Sequence, residues 1–275
     1  MQVFKNLVIA LGSMVYLSPI SAQYSDSFHV SDKPATDSLP PIIHSVLPDY
    51  KKAFPYKSFL VPAVMVTYGF LSLENQQLKQ LNQELKDEIW TEQPHKKTIL
   101  DNYLQFAPAA AVYGLNAVGI HGKHNFRDLT AIYLMSNVFL NVAVVSLKSI
   151  THKLRPDGSD YASFPSGHTT EAFASAEFMR MEYKDVSPWY GVAGYAMAFA
   201  TGYLRMYNNK HYFGDLIAGA GFGIASTQLA YWLYPKIQHS IYKDKPVHTM
   251  IMPYYQNGSG GLSLVHDFSQ KIISR

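Results

Sequence analysis

Apolar positions in this chain gather into long runs at helical spacing, separated by short polar breaks. The clearest cover residues 103–120, 129–147, 167–183 and 187–204, and a last run from about 212 to 234 is closed by Pro235. Pro108 either kinks the first of these or marks its true start. Upstream, residues 59–73 form an uncharged run that contains Pro62 and falls short of the roughly 20 residues of a membrane span. Residues 74–90 are charged and amphipathic, with Leu78, Leu81, Leu85 and Ile89 on one stripe. Small residues recur along the runs, as in Ala193-Gly194 and Ala218 to Gly221, so helices can approach closely in a protein core or in lipid. The pattern predicts an all-α bundle of about six core helices over residues 55–240.

The two ends read differently. Residues 1–22 have the form of a secretory signal peptide: Lys5, an apolar stretch over 7–17, then Ser21-Ala22 before Gln23. Ile20 stands where a small residue is expected, so an uncleaved anchor is the alternative. Residues 23–54 are a Pro/Ser-rich linker punctuated by Pro34, Pro40, Pro41 and Pro48. In the tail, 241–275, the stretches 249–255 and 262–268 flank Asn257-Gly258-Ser259-Gly260-Gly261 and predict a β-hairpin-like element.

Composition narrows the class. Charged residues are only 16% of the 275, against about 25% in an ordinary soluble domain. A mean hydropathy of −0.07 is nevertheless low for a chain that is mostly membrane spans. The net charge of +3 gives no argument for a nucleic-acid partner. Without Cys there is no disulfide, thiolate site or cysteine nucleophile.

Three blocks carry candidate chemistry. In the first, Lys148 and Arg155 lie seven residues apart, two turns if the helix continues that far, and Pro156 ends it. In the second, Pro165-Ser166-Gly167-His168 opens a helical run, whose unpaired N–H groups and positive dipole end suit an anion. Ser166 can cap that helix or bond the anion, Gly167 admits a close approach, and His168 can donate a proton. In the third, Arg205 adds a guanidinium, and His211 and Asp215 stand four apart, so a carboxylate could fix the imidazole tautomer and leave its other nitrogen as nucleophile. Each block alone has a plain reading as surface charge or capping; together their three cations, two histidines, one carboxylate and Ser-Gly turn suit catching a phosphate and attacking it. His121 and His124 flank a short polar loop and read as an ordinary turn, and His152 matches no position of the pattern.

The spacing Lys148-x6-Arg155-Pro156, Pro165-Ser166-Gly167-His168 and Arg205-x5-His211-x3-Asp215 resembles the three-part signature of one superfamily. It holds type 2 phosphatidic acid phosphatases, bacterial non-specific acid phosphatases and vanadium haloperoxidases. One position departs: Leu204 stands where the family usually has Ser. The resemblance implies the helical bundle of that type and a phosphoric ester hydrolase. Lys148, Arg155, Arg205, Ser166 and the Gly167 N–H would bind phosphate. His211 would attack phosphorus to give a phosphohistidine, with Asp215 orienting it and His168 serving as acid. It implies no metal and no cofactor, with vanadate bound only under the haloperoxidase alternative.

A lipid-linked phosphate is the favoured substrate: phosphatidate, an isoprenoid diphosphate or a glycolipid phosphate. A soluble periplasmic acid phosphatase acting on small phosphate esters is the alternative. The reading is an exported protein, associated with or embedded in the inner membrane, its site on the periplasmic side. That count of crossings takes residues 59–73 as not spanning, because of their length and Pro62.

Overall fold

The computed structural model describes residues 51–93, 95–242, 249–256 and 259–266. The signal expected at 1–22 and nearly all of the linker lie outside them. Within the described residues, the α-helices in chain order are α1 Leu60–Glu74, α2 Gln76–Lys86 (continued by a π-helical turn, Asp87–Thr91), α3 Leu100–Leu104, α4 Ala107–Ala117, α5 Phe126–Thr151, α6 Gly167–Tyr183, α7 Pro188–Tyr207 and α8 Phe213–Tyr242. A two-stranded antiparallel hairpin follows, β1 Thr249–Gln256 and β2 Ser259–His266, in a register that pairs Thr249 with His266 and Gln256 with Ser259. The all-α bundle with a hairpin tail is therefore the observed architecture.

α6 is the axis of the bundle. Ser166 caps its start, and Phe173, Phe178 and Tyr183 are buried along it. α8 can lie against it because Gly223 has no side chain; a Cβ there would collide with the Thr170 carbonyl and lie 2.8 Å from the Ala174 nitrogen. One buried cluster joins Val112 of α4, Leu129 and Ile132 of α5, Phe178 of α6 and Tyr231 of α8. Burial of each such side chain contributes roughly 1.5–3 kcal/mol.

The long segments run back and forth between two ends. α1 is antiparallel to α8: Pro62 meets Gly221, whereas Ser72 packs against Gly214. α3 and α4 together form the next traverse, from Asp101 beside Arg205 to Asn116 beside Tyr183. α5 returns, α6 goes out, α7 returns and α8 goes out again. One end, the cradle end, carries residues 152–166 and 208–212. The other, the far end, carries residues 118–125, 184–187 and Tyr56.

Three differences from the sequence reading have physical causes. The run expected at 103–120 is two helices: the chain breaks at Gln105–Phe106, and Pro108 marks the true start of α4, one of the two roles expected for it. α5 stops at Thr151, where His152 takes a left-handed conformation (φ 43°), so Arg155 lies in the following loop and not two turns along the helix. The run at 59–73 is continuous with the 3-10 turn Tyr56–Phe59, giving 19 residues that are long and apolar enough to cross a membrane. Pro62 does not count against it: it lies in the first turn of α1, where its missing N–H has no helical partner to lose.

Phe126–Thr151 and Phe213–Ile241 also have the length and composition of membrane spans. α5, 26 residues and roughly 39 Å long, exposes Leu134, Val138, Val142 and Val145 along one flank. α1 exposes Leu60, Val61, Val64 and Leu71. Apolar faces of this extent need a non-aqueous neighbour.

Candidate active site

The three sequence blocks meet at the cradle end, and Asp215 ties them together. It is fully buried in the first turn of α8, where a carboxylate also complements the helix dipole. Its Oδ1 accepts from Lys153 Nζ at 2.8 Å. Its Oδ2 accepts from Ser163 Oγ at 2.6 Å and the Tyr212 N–H at 3.0 Å. Its carbonyl accepts the Ser166 N–H at 3.1 Å. One residue thus holds the loop after α5, the entry to α6 and the turn before α8.

His211 lies just before α8, in the loop 208–212, and is 3% exposed. Its Nδ1 is 2.7 Å from the Ser163 carbonyl, which can only accept, so Nδ1 carries the proton. Nε2 is then the lone-pair nitrogen, and it faces Arg155 Nη1 at 3.3 Å. Here the structure differs from the expected His–Asp contact: the Asp215 carboxylate is 3.8 Å from Nδ1, and the ring is oriented by the backbone of Ser163, which Asp215 holds in place. Burial pushes His211 down to about 4, with Asp215 opposing and Arg205 and Lys148 contributing to the fall. The neutral, nucleophilic form is therefore the one present near neutral pH.

The cations surround this nitrogen. Arg155 is steadied by Asp160, 2.7 Å from its Nε, and that contact holds the Asp160 carboxyl below the usual range. Lys148 reaches the Ala162 carbonyl. Arg205, 7% exposed at the end of α7, is clamped by the buried carboxylate of Asp101, while its Nε has no protein partner and is available to a phosphoryl oxygen. Lys210 is held off by Asp157 at 2.6 Å.

At the mouth of α6, Ser166 acts as the cap and not as a ligand-facing hydroxyl: it is fully buried, bonds the Thr169 hydroxyl at 2.9 Å and accepts the Thr169 N–H. Gly167 faces open space; an added Cβ would meet only Val144, at 3.8 Å, and would occupy the room beside the helix terminus. His168, on the first turn, places Nε2 2.8 Å from Asn102 Oδ1. Asn102 is the neighbour of Asp101, which clamps Arg205, so His168 stands beside the cations; burial, then Arg205 with Arg155 and Lys148, push it down to about 4, with Asp101 opposing.

All eight residues singled out in the sequence, Lys148, Arg155, Ser166, Gly167, His168, Arg205, His211 and Asp215, are brought to one end. Sequence reasoning missed Asp101 and Asn102 on α3, and Lys153 and Ser163. The only sequence signal for the first was a lone acid opening an apolar run. The loop pair set aside earlier lies at the far end, where His124 bonds the buried Glu182 at 2.7 Å. Among the described residues no group of three or more His, Cys, Asp or Glu could hold a metal ion.

Chemically, the arrangement offers a buried neutral imidazole nitrogen facing fixed cations, next to a helix N-terminus and a second imidazole. The acid limb of kcat/KM should accordingly fall near pH 4, because His211 loses its lone pair to a proton as pH drops through that value. A limb at pH 6 to 7 in a pH–rate series on the purified protein would contradict this assignment.

Residues 129–239 match the PAP2 superfamily. The chain is 34% identical over 163 residues to the lipid A 1-phosphatase of Porphyromonas gingivalis, covering 59% of this chain and 36% of that protein. It is 33% identical over 84 residues to the lipid A 4'-phosphatase of Bacteroides thetaiotaomicron, covering 30% of this chain and 36% of that one. The chain thus spans about a third of the length of these curated relatives. Among solved structures, Aquifex aeolicus LpxE aligns with a TM-score of 0.42 at 21% identity, over 55% of this chain and 94% of that one. A PAP2-type phosphatidylglycerolphosphate phosphatase from Bacillus subtilis aligns at 0.38 and 14% identity, over 67% and 98%.

Proposed function

Taking the PAP2 superfamily domain at residues 129–239 as premise, we propose that this chain is a metal-independent phosphatase acting on a lipid-linked phosphate through a phosphohistidine at His211. The observation that carries the reading is the His211 ring itself, with Nδ1–H fixed on a carbonyl and Nε2 aimed at the Arg155 guanidinium. Nε2 attacks phosphorus as the bond to the lipid oxygen breaks, and that oxygen takes a proton from His168, which acts as imidazolium: burial and Arg205 lower its affinity for that proton in the free site, and the negative phosphoryl group bound beside it restores it. Water then attacks phosphorus as the P–N bond breaks and its electron pair returns to His211 Nε2; the water gives a proton to His168, and phosphate leaves. Lys148, Arg155 and Arg205 spread positive charge over the equatorial oxygens, the main demand of phosphoryl transfer. Asn102 holds the His168 proton on Nε2 until a leaving oxygen takes its place.

The exposed apolar flanks of α1 and α5 favour an enzyme embedded in the membrane over a soluble acid phosphatase. We place the cradle on the periplasmic side. α1 begins at the far end and finishes at the cradle, so Tyr56 then lies in the cytoplasm, with Lys51, Lys52, Lys57, Lys123 and Lys184 toward that face. A leader cleaved after Ala22 would impose the opposite orientation, so the two expectations exclude each other once α1 spans. Lysines also stand at the cradle end (Lys79, Lys86, Lys97), and direct measurement decides between the faces.

Purified protein should release phosphate from phosphatidate, an isoprenoid diphosphate or a glycolipid phosphate with excess EDTA present. Spheroplasts should hydrolyse an impermeant phosphate ester as fast as lysed cells. Loss of turnover in EDTA would refute the metal-independent mechanism, and activity appearing only on lysis would refute the periplasmic cradle.

A further inference from the structure

Lys153 belongs to none of the three sequence blocks, yet it is bound to their common support. α5 ends in the left-handed turn at His152, and the next residue brings its ammonium to Asp215 Oδ1 at 2.8 Å. The Lys153 carbonyl also accepts the Ser163 N–H at 2.9 Å. Ser163 in turn donates its hydroxyl to Asp215 Oδ2, and its own carbonyl accepts from His211 Nδ1. Lys153 is therefore joined to the imidazole twice, through the carboxylate and through Ser163. Its ammonium is largely enclosed, 4.8 Å from the Tyr212 ring centroid and 6.0 Å from that of Phe164. A charge so placed needs a counter-charge, and Asp215 supplies it.

The pairing matters because Asp215 is a hazard to the nucleophile as well as its support. Its carboxylate lies 3.8 Å from His211 Nδ1, and an opposite charge at that range favours imidazolium. An imidazolium has no lone pair on Nε2 and cannot attack phosphorus. The other groups around His211 are Lys148 from α5, Arg155 from the loop after it and Arg205 from α7, with His168 at the mouth of α6. Lys148 and Arg205 oppose protonation of the ring, but a bound phosphoryl group engages those charges. Lys153 stays on Asp215.

Resting on the reading of His211 as nucleophile, we propose that Lys153 is a positioning residue: it neutralises Asp215 and holds that carboxylate off the imidazole, so that His211 meets phosphorus unprotonated. The test titrates full-length protein carrying ring-labelled histidine by NMR in detergent, the His211 signal being the one missing from His211→Ala. Wild-type His211 should protonate near pH 4. Lys153→Gln keeps an N–H for Asp215 without the charge, and Lys153→Met keeps neither; both should raise the midpoint to about pH 5 or above. Lys153→Arg should stay near the wild type, and adding Asp215→Asn to Lys153→Gln should return the midpoint to about pH 4 or below. A higher midpoint means that the lone pair is lost earlier as pH falls. The loss of kcat/KM on p-nitrophenyl phosphate in the Gln and Met variants should therefore be at least about fivefold deeper at pH 4 than at pH 8.

An unmoved midpoint, with activity lost evenly across pH, would make Lys153 a structural clamp alone and overturn the proposal. Should both single variants unfold, Asp215→Asn against the double variant reads the same charge. The midpoint must then be lower where Lys153 is present, and equal midpoints would overturn the proposal. A shift seen by NMR in a protein without phosphatase activity would refute the nucleophile while upholding the coupling of Lys153 to His211.

Discussion

His211→Ala is expected to lower turnover by at least about 10⁴-fold while leaving phosphate or vanadate binding within a few-fold of wild type. The asymmetry follows from the geometry. Arg155, Lys148 and Arg205 are positioned by Asp160, the Ala162 carbonyl and Asp101, none of which depends on the imidazole. Removing the ring therefore removes the attacking atom and leaves the charges. Rapid-quench labelling with a radioactive phosphate ester should show an acid-labile phosphoprotein in wild type and none in the variant. Residual turnover above 1% of wild type would show that another group attacks phosphorus.

The second large effect is expected at Asp101, which no motif contains. Its side chain is 1% exposed and faces an arginine that is nearly as buried. Asp101→Ala strands that guanidinium without its counter-charge, which costs about 3–5 kcal/mol of stability. It should also lower kcat/KM by roughly 10²-fold, because Arg205 is no longer held at the phosphate position. The pair Asp101→Ala with Arg205→Met separates the two consequences. Stability should return, since an apolar replacement of a buried pair is close to neutral, but activity should not. Thermal unfolding in detergent alongside kinetics reads both; a double variant as unstable as the single would show that the contact is not an isolated ion pair.

The contrast between these two residues shows how far the sequence was legible. His211 lies six residues after Arg205 and four before Asp215, so it falls within one of the three motif blocks whose combined spacing carries the resemblance. Asp101 meets Arg205 across 104 positions and Asn102 meets His168 across 66, and no local pattern encodes such meetings. The helices of the bundle were readable from apolar periodicity. Their ends were legible only in part: Pro108 announces the start of α4, whereas nothing in the sequence marks His152, whose positive φ ends α5. Ser166 was correctly seen as a possible cap; that it turns its hydroxyl inward depends on Thr169 being close enough to take it. α1 looked too short to span because the 3-10 turn ahead of it carries Tyr56 and Lys57, which periodicity counts as loop.

Asp215 receives contacts from the loop after α5, from the entry to α6 and from the turn ahead of its own helix, all through one carboxylate and one carbonyl. These partners come from the segments that follow α5, precede α6 and precede α8. A chain ending before Asp215 would carry seven of the eight residues singled out, with Arg155 and Arg205 still beside Asp160 and Asp101, but would lack the one group that joins the loop after α5 to the entry of α6, so during synthesis the three blocks are tied together only once α8 has docked.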